Sequence, residues 1–125
     1  MLRLSLCACA IALFALPLPA RAQADVSGNW RVEFVVPTGE MAVNMTINQS
    51  GSTLTGRVIN EDGEFQLRGK VDGNQVTVTW TVPEQGEPMD ITMKGTIDGE
   101  TISGVARLGK VGEGTLSARR VSRNP

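Results

Sequence analysis

The sequence predicts an all-β fold, an eight-stranded antiparallel up-and-down meander closed into a β-barrel. Three observations point to it. From Asn29 onward apolar and polar residues alternate with period two, and the i, i+3, i+4 spacing of a helix does not recur. Glycine-bearing turn signals come at short, regular intervals, "QSGS" at 49–52, "EDG" at 61–63, "DGN" at 72–74 and "DGE" at 98–100, each able to supply the positive φ of a tight hairpin. Every connection is of hairpin length, so consecutive strands are neighbours, and closing the meander removes both unprotected sheet edges.

Residues 1–24 read as a secretory signal peptide that is outside the fold. Arg3 gives a positive start, and Leu4 to Leu18 form an apolar stretch short of the roughly 20 residues a spanning helix needs. Pro17 and Pro19 break that stretch, and Ala20-Arg21-Ala22 or Ala22-Gln23-Ala24 offers the cleavage site. Both cysteines, Cys7 and Cys9, fall within it. The remainder, about 100 residues, is therefore expected to be secreted, periplasmic or extracellular, and held by a hydrophobic core without a disulfide. One domain is expected over 25–122, with 123–125 a disordered tail. Of the 12 Lys and Arg, Arg3 and Arg21 lie in the leader, leaving ten against 13 Asp and Glu. That mixed, mildly acidic balance without a basic run predicts no nucleic-acid partner and no membrane span.

The strands follow from their inward sets. The first holds Trp30, Val32, Phe34 and Val36; the second Met41, Val43, Met45 and Ile47; the third Leu54, Gly56 and Val58; the fourth Phe65, Leu67, Gly69 and Val71. The fifth holds Val76, Val78, Trp80 and Val82; the sixth Met89, Ile91, Met93, Gly95 and Ile97; the seventh Ile102, Gly104 and Ala106; the eighth Leu116, Ala118 and Arg120. Glycine sits in the middle of four of these runs, in "LTGRV", "LRGKV", "MKGTI" and "ISGVA". With Asp72-Gly73 and Asp98-Gly99 as two-residue turns, Gly69 is expected opposite Val76, Gly95 opposite Ile102 and Gly104 opposite Met93, while Gly56 meets Leu67. Small residues would thus alternate with large ones to fill a tapering interior and let the strands coil. A cavity left for a ligand is the alternative.

A meander sorts its connections onto two ends. "QSGS", "DGN" and "DGE" share a tight end; "PTGE", "NEDG", "PEQGEP" and "LGKVGEG" share the other, where longer loops carrying Glu40, Glu61, Asp62, Glu84 and Glu87 are expected to form a mouth. An eight-stranded barrel is just wide enough to be filled by side chains or to hold one small ligand.

"SGNWRVEF" carries the Gly-x-Trp found in the first strand of lipocalins and avidins, and Arg120 stands near the end of the last strand, where lipocalins set an arginine across that tryptophan. From Gly28 to Arg120, with "LTGRV", "LRGKVDGNQVTVTW", "MKGTIDGETISG" and "GEGTLSARR", the chain resembles the small lipocalin-like (calycin-like) barrels that occur as solitary secreted bacterial proteins. It is also similar to modules appended to the C-termini of some amidohydrolases. The resemblance implies a closed barrel with Trp30 and Arg120 as structural residues, in a family mostly without an assigned function. The chain lacks the lipocalin Thr-Asp-Tyr motif, is shorter than a lipocalin, and has Leu116 where such barrels often place tryptophan.

With no histidine, no tyrosine and no cysteine past the leader, the usual nucleophile pairs and zinc ligand sets cannot be assembled, and there is no phosphate-binding loop. Neither a catalytic residue, a cofactor nor a metal is assigned. Glu61 with Asp62, or Glu84 with Glu87, has the composition of an acid/base pair or a weak Ca²⁺ site, but solvated turn residues have it too. The methionines are more informative. Met41 and Met45 on the second strand face Met89 and Met93 on the sixth across the lumen, and with Phe34, Phe65 and Trp80 they would form a soft apolar lining for a ligand. They would serve equally as filling for a dry core, and four thioethers also suit Cu(I). The expectation is a non-enzymatic binding module for a small apolar ligand. The alternatives are a protein-interaction barrel, an inhibitor or accessory module acting through the acidic loops, and an enzyme that uses only a shaped apolar pocket.

Overall fold

The computed structural model describes residues 22–125; the predicted leader lies outside them except for Ala22 to Ala24. Eight strands, β1 (Gly28–Val36), β2 (Gly39–Ser50), β3 (Thr53–Asn60), β4 (Gly63–Asp72), β5 (Gln75–Glu84), β6 (Glu87–Asp98), β7 (Thr101–Leu108) and β8 (Gly112–Ser122), pair antiparallel in sequence order. β8 returns to pair with β1, so the sheet is a closed barrel with no free edge.

Period two governs the burial. On β5, Val76, Val78, Trp80 and Val82 are buried while Gln75 and Thr81 are exposed and Thr77 and Thr79 half-buried. The core is one cluster drawn from all eight strands, with Trp30, Trp80, Phe34, Met45 and Met93 among its largest members. The outer face is polar, with Thr55, Arg68, Lys70, Lys94, Thr96 and Arg119 exposed on it, where a membrane barrel would carry an apolar band. Among the described residues no helix is long and apolar enough to cross a membrane.

Two expectations are corrected. First, the tight turns are Gly73-Asn74 and Gly99-Glu100, closed by Asp72↔Gln75 and Asp98↔Thr101. Glycine at φ 60 occupies the first central position and the second residue keeps a negative φ, which is the type II′ hairpin. Moving the turn by one residue moves each cross-strand partner by two, so the faces survive and the pairs change. Gly69 stands opposite Val78, Gly95 opposite Gly104, and Met93 opposite Ala106; Gly56 does meet Leu67. Second, the mouth loops are short: strand pairing continues to Val36↔Gly39, Asn60↔Gly63 and Glu84↔Glu87, and only 109–111 is a three-residue connection.

The inward glycines still face bulky residues across the strands, Leu67 for Gly56, Val78 for Gly69, Val76 for Gly95 and Leu116 for Gly104, and they also admit a close backbone approach. A Cβ on Gly56, Gly69, Gly104 or Gly114 would lie 1.9, 2.2, 2.0 or 2.1 Å from the carbonyl oxygen of Thr46, Thr77, Lys94 or Val35. In each case the carbonyl belongs to the neighbouring strand. The backbones pass where a side chain would be, as sharp coiling in a narrow barrel demands.

The narrow end is sealed by the segment before β1. Val26 is fully buried, and its carbonyl accepts a 2.8 Å hydrogen bond from Trp30 Nε1. Gln49 accepts from Val26 N (2.7 Å) and donates to the Ala24 carbonyl (2.9 Å). Ala24 N donates to the Gly73 carbonyl at 2.9 Å, and Gly73 N to Gln23 Oε1 at 2.7 Å. Residues 123–125, expected as a loose tail, are engaged in part: Arg123 pairs with Asp25 and Glu100, and the Asn124 carbonyl accepts from Asn29 and Ser122.

Candidate functional site

Arg120 organises the sealed end. Its guanidinium lies over the Trp30 ring, 4.7 Å from the centroid, a cation–π contact favoured by desolvation. Nη1 donates to the Ser27 carbonyl (3.0 Å), and Nη2 to those of Asp25 (2.7 Å) and Gly99 (3.1 Å). Nε makes no hydrogen bond but sits 3.3 Å from Glu100 Oε2 as an ion pair. One buried cation thus satisfies carbonyls from the N-terminal segment and the β6–β7 turn. The Asp25 carboxyl is held below its ordinary value of 3.8, foremost by the Ser27 hydroxyl and backbone N–H, with Arg120 and Arg123 adding smaller attractions against a partial desolvation cost.

The opposite end holds a cavity of about 90 Å³. Phe34, Met41, Phe65, Trp80 and Met89 line it, together with Val43, Val82, Ile91 and Leu108, and Asn60, Asp62, Pro83 and Glu84 border it from the turns. The strands that deliver these residues all turn at the mouth. Phe34 and Trp80 pack at a tilt of 45° with centroids 6.1 Å apart, which fixes the aromatic wall. Met41 is 40% exposed, so the cavity opens to solvent beside it. Gly109, at φ 46, brings the last loop against Met89.

Met45 and Met93, counted in the lining from sequence, are buried to 1% and 0% exposure and do not border the cavity. The four thioethers are therefore not gathered around one space. Below the mouth the lumen is packed with side chains and with glycine backbones. The cavity is well under the roughly 300 Å³ at which a pocket begins to enclose a drug-sized molecule. It therefore accepts only the tip of an apolar group.

Glu61, Glu84 and Glu87 stay exposed, and Asp62 keeps only its backbone N–H bond to Asn60 Oδ1 (2.8 Å). Among the described residues no group of His, Cys, Asp or Glu is placed to hold a metal ion. Sequence reasoning missed the plug residues Val26 and Gln49 and the lining residue Leu108. Gln49 and Leu108 both continue an inward period, after Ile47 and Ala106; Val26 is a lone apolar residue with no period. No protein-family model matches the chain, and no curated protein is significantly similar to it.

Proposed function

We propose that this chain is a secreted, non-enzymatic binding module that takes the apolar end of a small ligand into the mouth of a largely filled barrel. The cavity between Phe34, Met41, Phe65, Trp80 and Met89 carries the proposal: it joins soft methionine and rigid aromatic walls at the one end of the barrel the N-terminal segment leaves open. The leader pattern supports export. Nothing at the mouth pairs a nucleophile with a base, so recognition rather than chemistry is the role.

The test is a titration with 1-decanol followed through the methionine methyl resonances. Binding by chain tip should shift the methyls of Met41 and Met89 and leave those of Met45 and Met93 in place, and Met89→Lys should abolish it, because an ammonium in the apolar wall is strongly disfavoured. No saturable shift in the wild type would refute the proposal; shifts at Met45 and Met93 would mean that the core opens.

A second reading, a protein-interaction barrel, is favoured by the same small volume and by apolar surface at the rim, where Met41 and Val111 are 40% and 42% exposed. A partner would insert one side chain. A defined complex lost on Met89→Lys, without decanol binding to the free protein, would select it.

A further inference from the structure

We propose that the ligand is a cationic amphiphile, an alkylammonium whose tail tip fills the mouth cavity and whose ammonium rests against the rim carboxylates Asp62 and Glu84. This rests on the reading of the mouth as a small-ligand pocket and adds the chemistry of the head group. The volume makes the head group matter. A cavity of about 90 Å³ takes only the end of a chain, so the rest of the ligand runs out past Asn60, Asp62 and Glu84, which border the same space.

The charge there is mostly negative. Glu40, Glu61, Asp62, Glu84 and Glu87 surround the mouth, and Lys110 in the 109–111 loop is the opposing cation, since Arg107 is paired with Glu113 at 3.7 Å. Among the described residues none of those five carboxylates has a cation within ion-pair distance. Along the barrel wall and at the sealed end Glu33, Glu64, Asp25 and Glu100 each meet an arginine, whereas Asp72, Asp90 and Asp98 are, among the described residues, as unpaired as the mouth carboxylates; what sets the mouth apart is that its carboxylates border an apolar cavity. Carboxylates beside an apolar, low-dielectric wall focus their field toward the opening and attract a cation whose tail the wall accepts. An anionic amphiphile such as a fatty acid would meet that field with the wrong sign.

The experiment compares decylammonium, 1-decanol and decanoate, each below its micellar concentration, titrated at pH 7 into the protein and read by the Met41 and Met89 methyl shifts. Expected is the order ammonium, alcohol, carboxylate. The ammonium should bind about tenfold tighter than the alcohol at low salt, the scale of two partly solvated ion contacts, and that advantage should shrink several-fold in 0.5 M NaCl through screening. In Asp62→Asn with Glu84→Gln, two exposed changes that leave the core intact, the advantage of the ammonium over the alcohol should disappear. Equal affinity of ammonium and alcohol for the wild type, or an ammonium preference that survives the double substitution, overturns the head-group assignment and leaves the pocket standing. Failure of all three to bind overturns the pocket and the assignment together.

Discussion

Gly104→Ala adds one methyl group at the most crowded backbone crossing of the β6–β7 pair. Its Cβ would sit 2.0 Å from the Lys94 carbonyl oxygen and 2.5 Å from Gly95 Cα, where ordinary contact begins at 3.4 Å. The strands must separate by about 1.4 Å, and neither obstacle is a flexible side chain. An inter-strand bond of about 2.9 Å stretched by that amount is no longer a hydrogen bond. Losing two neighbouring ladder bonds, at about 1 kcal/mol each, with the overpacking strain of a filled core, gives a destabilisation of about 3 kcal/mol. For a domain of this size that lowers the melting temperature by about 15 °C. The sign is diagnostic. Gly104 does not have a positive φ, so without the collision alanine would stabilise by about 0.4 to 1 kcal/mol through the unfolded chain. Thermal and urea melts followed by circular dichroism, with the exposed Ser103→Ala as a control expected near zero, decide it. A Gly104→Ala protein melting within 4 °C of the wild type would refute the account of the glycines as sites of backbone approach.

Three further outcomes are expected. Trp30→Ala should cost about 4 kcal/mol in urea unfolding, because it empties a large core position and removes both the Val26 hydrogen bond and the Arg120 stacking partner; a near-neutral melt would deny the sealed end its importance. Asp25→Asn should destabilise by less than about 1 kcal/mol at pH 7, as its carboxylate is largely exposed. Because the folded-state pKa lies below 3.8, the wild type's advantage is complete above that value and disappears as pH falls through the folded pKa, so equal stabilities at pH 7 would refute it. Exported protein should begin at Gln23 or Asp25, by mass spectrometry, and of the two a chain started at Asp25 should melt lower by several degrees for want of the Ala24 and Gln23 bonds to Gly73 and the Gln49 bond to Ala24.

The barrel and its inward faces were legible because period two marks a face without reference to any turn. Register was legible at Gly56 with Leu67 but not in the β4–β5 and β6–β7 hairpins, where it hangs on a single residue: "DGN" and "DGE" turn about Gly-Asn and Gly-Glu rather than Asp-Gly, and nothing local distinguishes a type I′ from a type II′ turn beyond which side of the glycine the strand resumes. "PEQGEP" looked like a loop because proline weakens a strand. Pro83 and Pro88 nevertheless face each other at the end of the β5–β6 pair, where neither N–H is needed. The pocket was half legible. Phe34, Met41, Phe65, Trp80 and Met89 were placed by strand direction alone, whereas the depth to which Met45 and Met93 fill the lumen depends on summed volumes that no pattern reports.

The two ends of the barrel use their polar groups differently. At the sealed end polar groups are spent on one another: Arg120 takes three carbonyls, Gln49 takes two groups of the plug, and Glu100 and Asp25 hold Arg123. At the mouth Glu40, Glu61, Asp62, Glu84 and Glu87 have no such partners among the described residues, and the apolar side chains are the most exposed of the inward sets, Met41 above all. Unpaired charge beside open apolar surface does little for the fold. A substitution at Glu84 or Asp62 should therefore leave melting unchanged and alter what binds, while one at Arg120 should do the reverse, lowering stability with the mouth chemistry intact until the barrel itself opens.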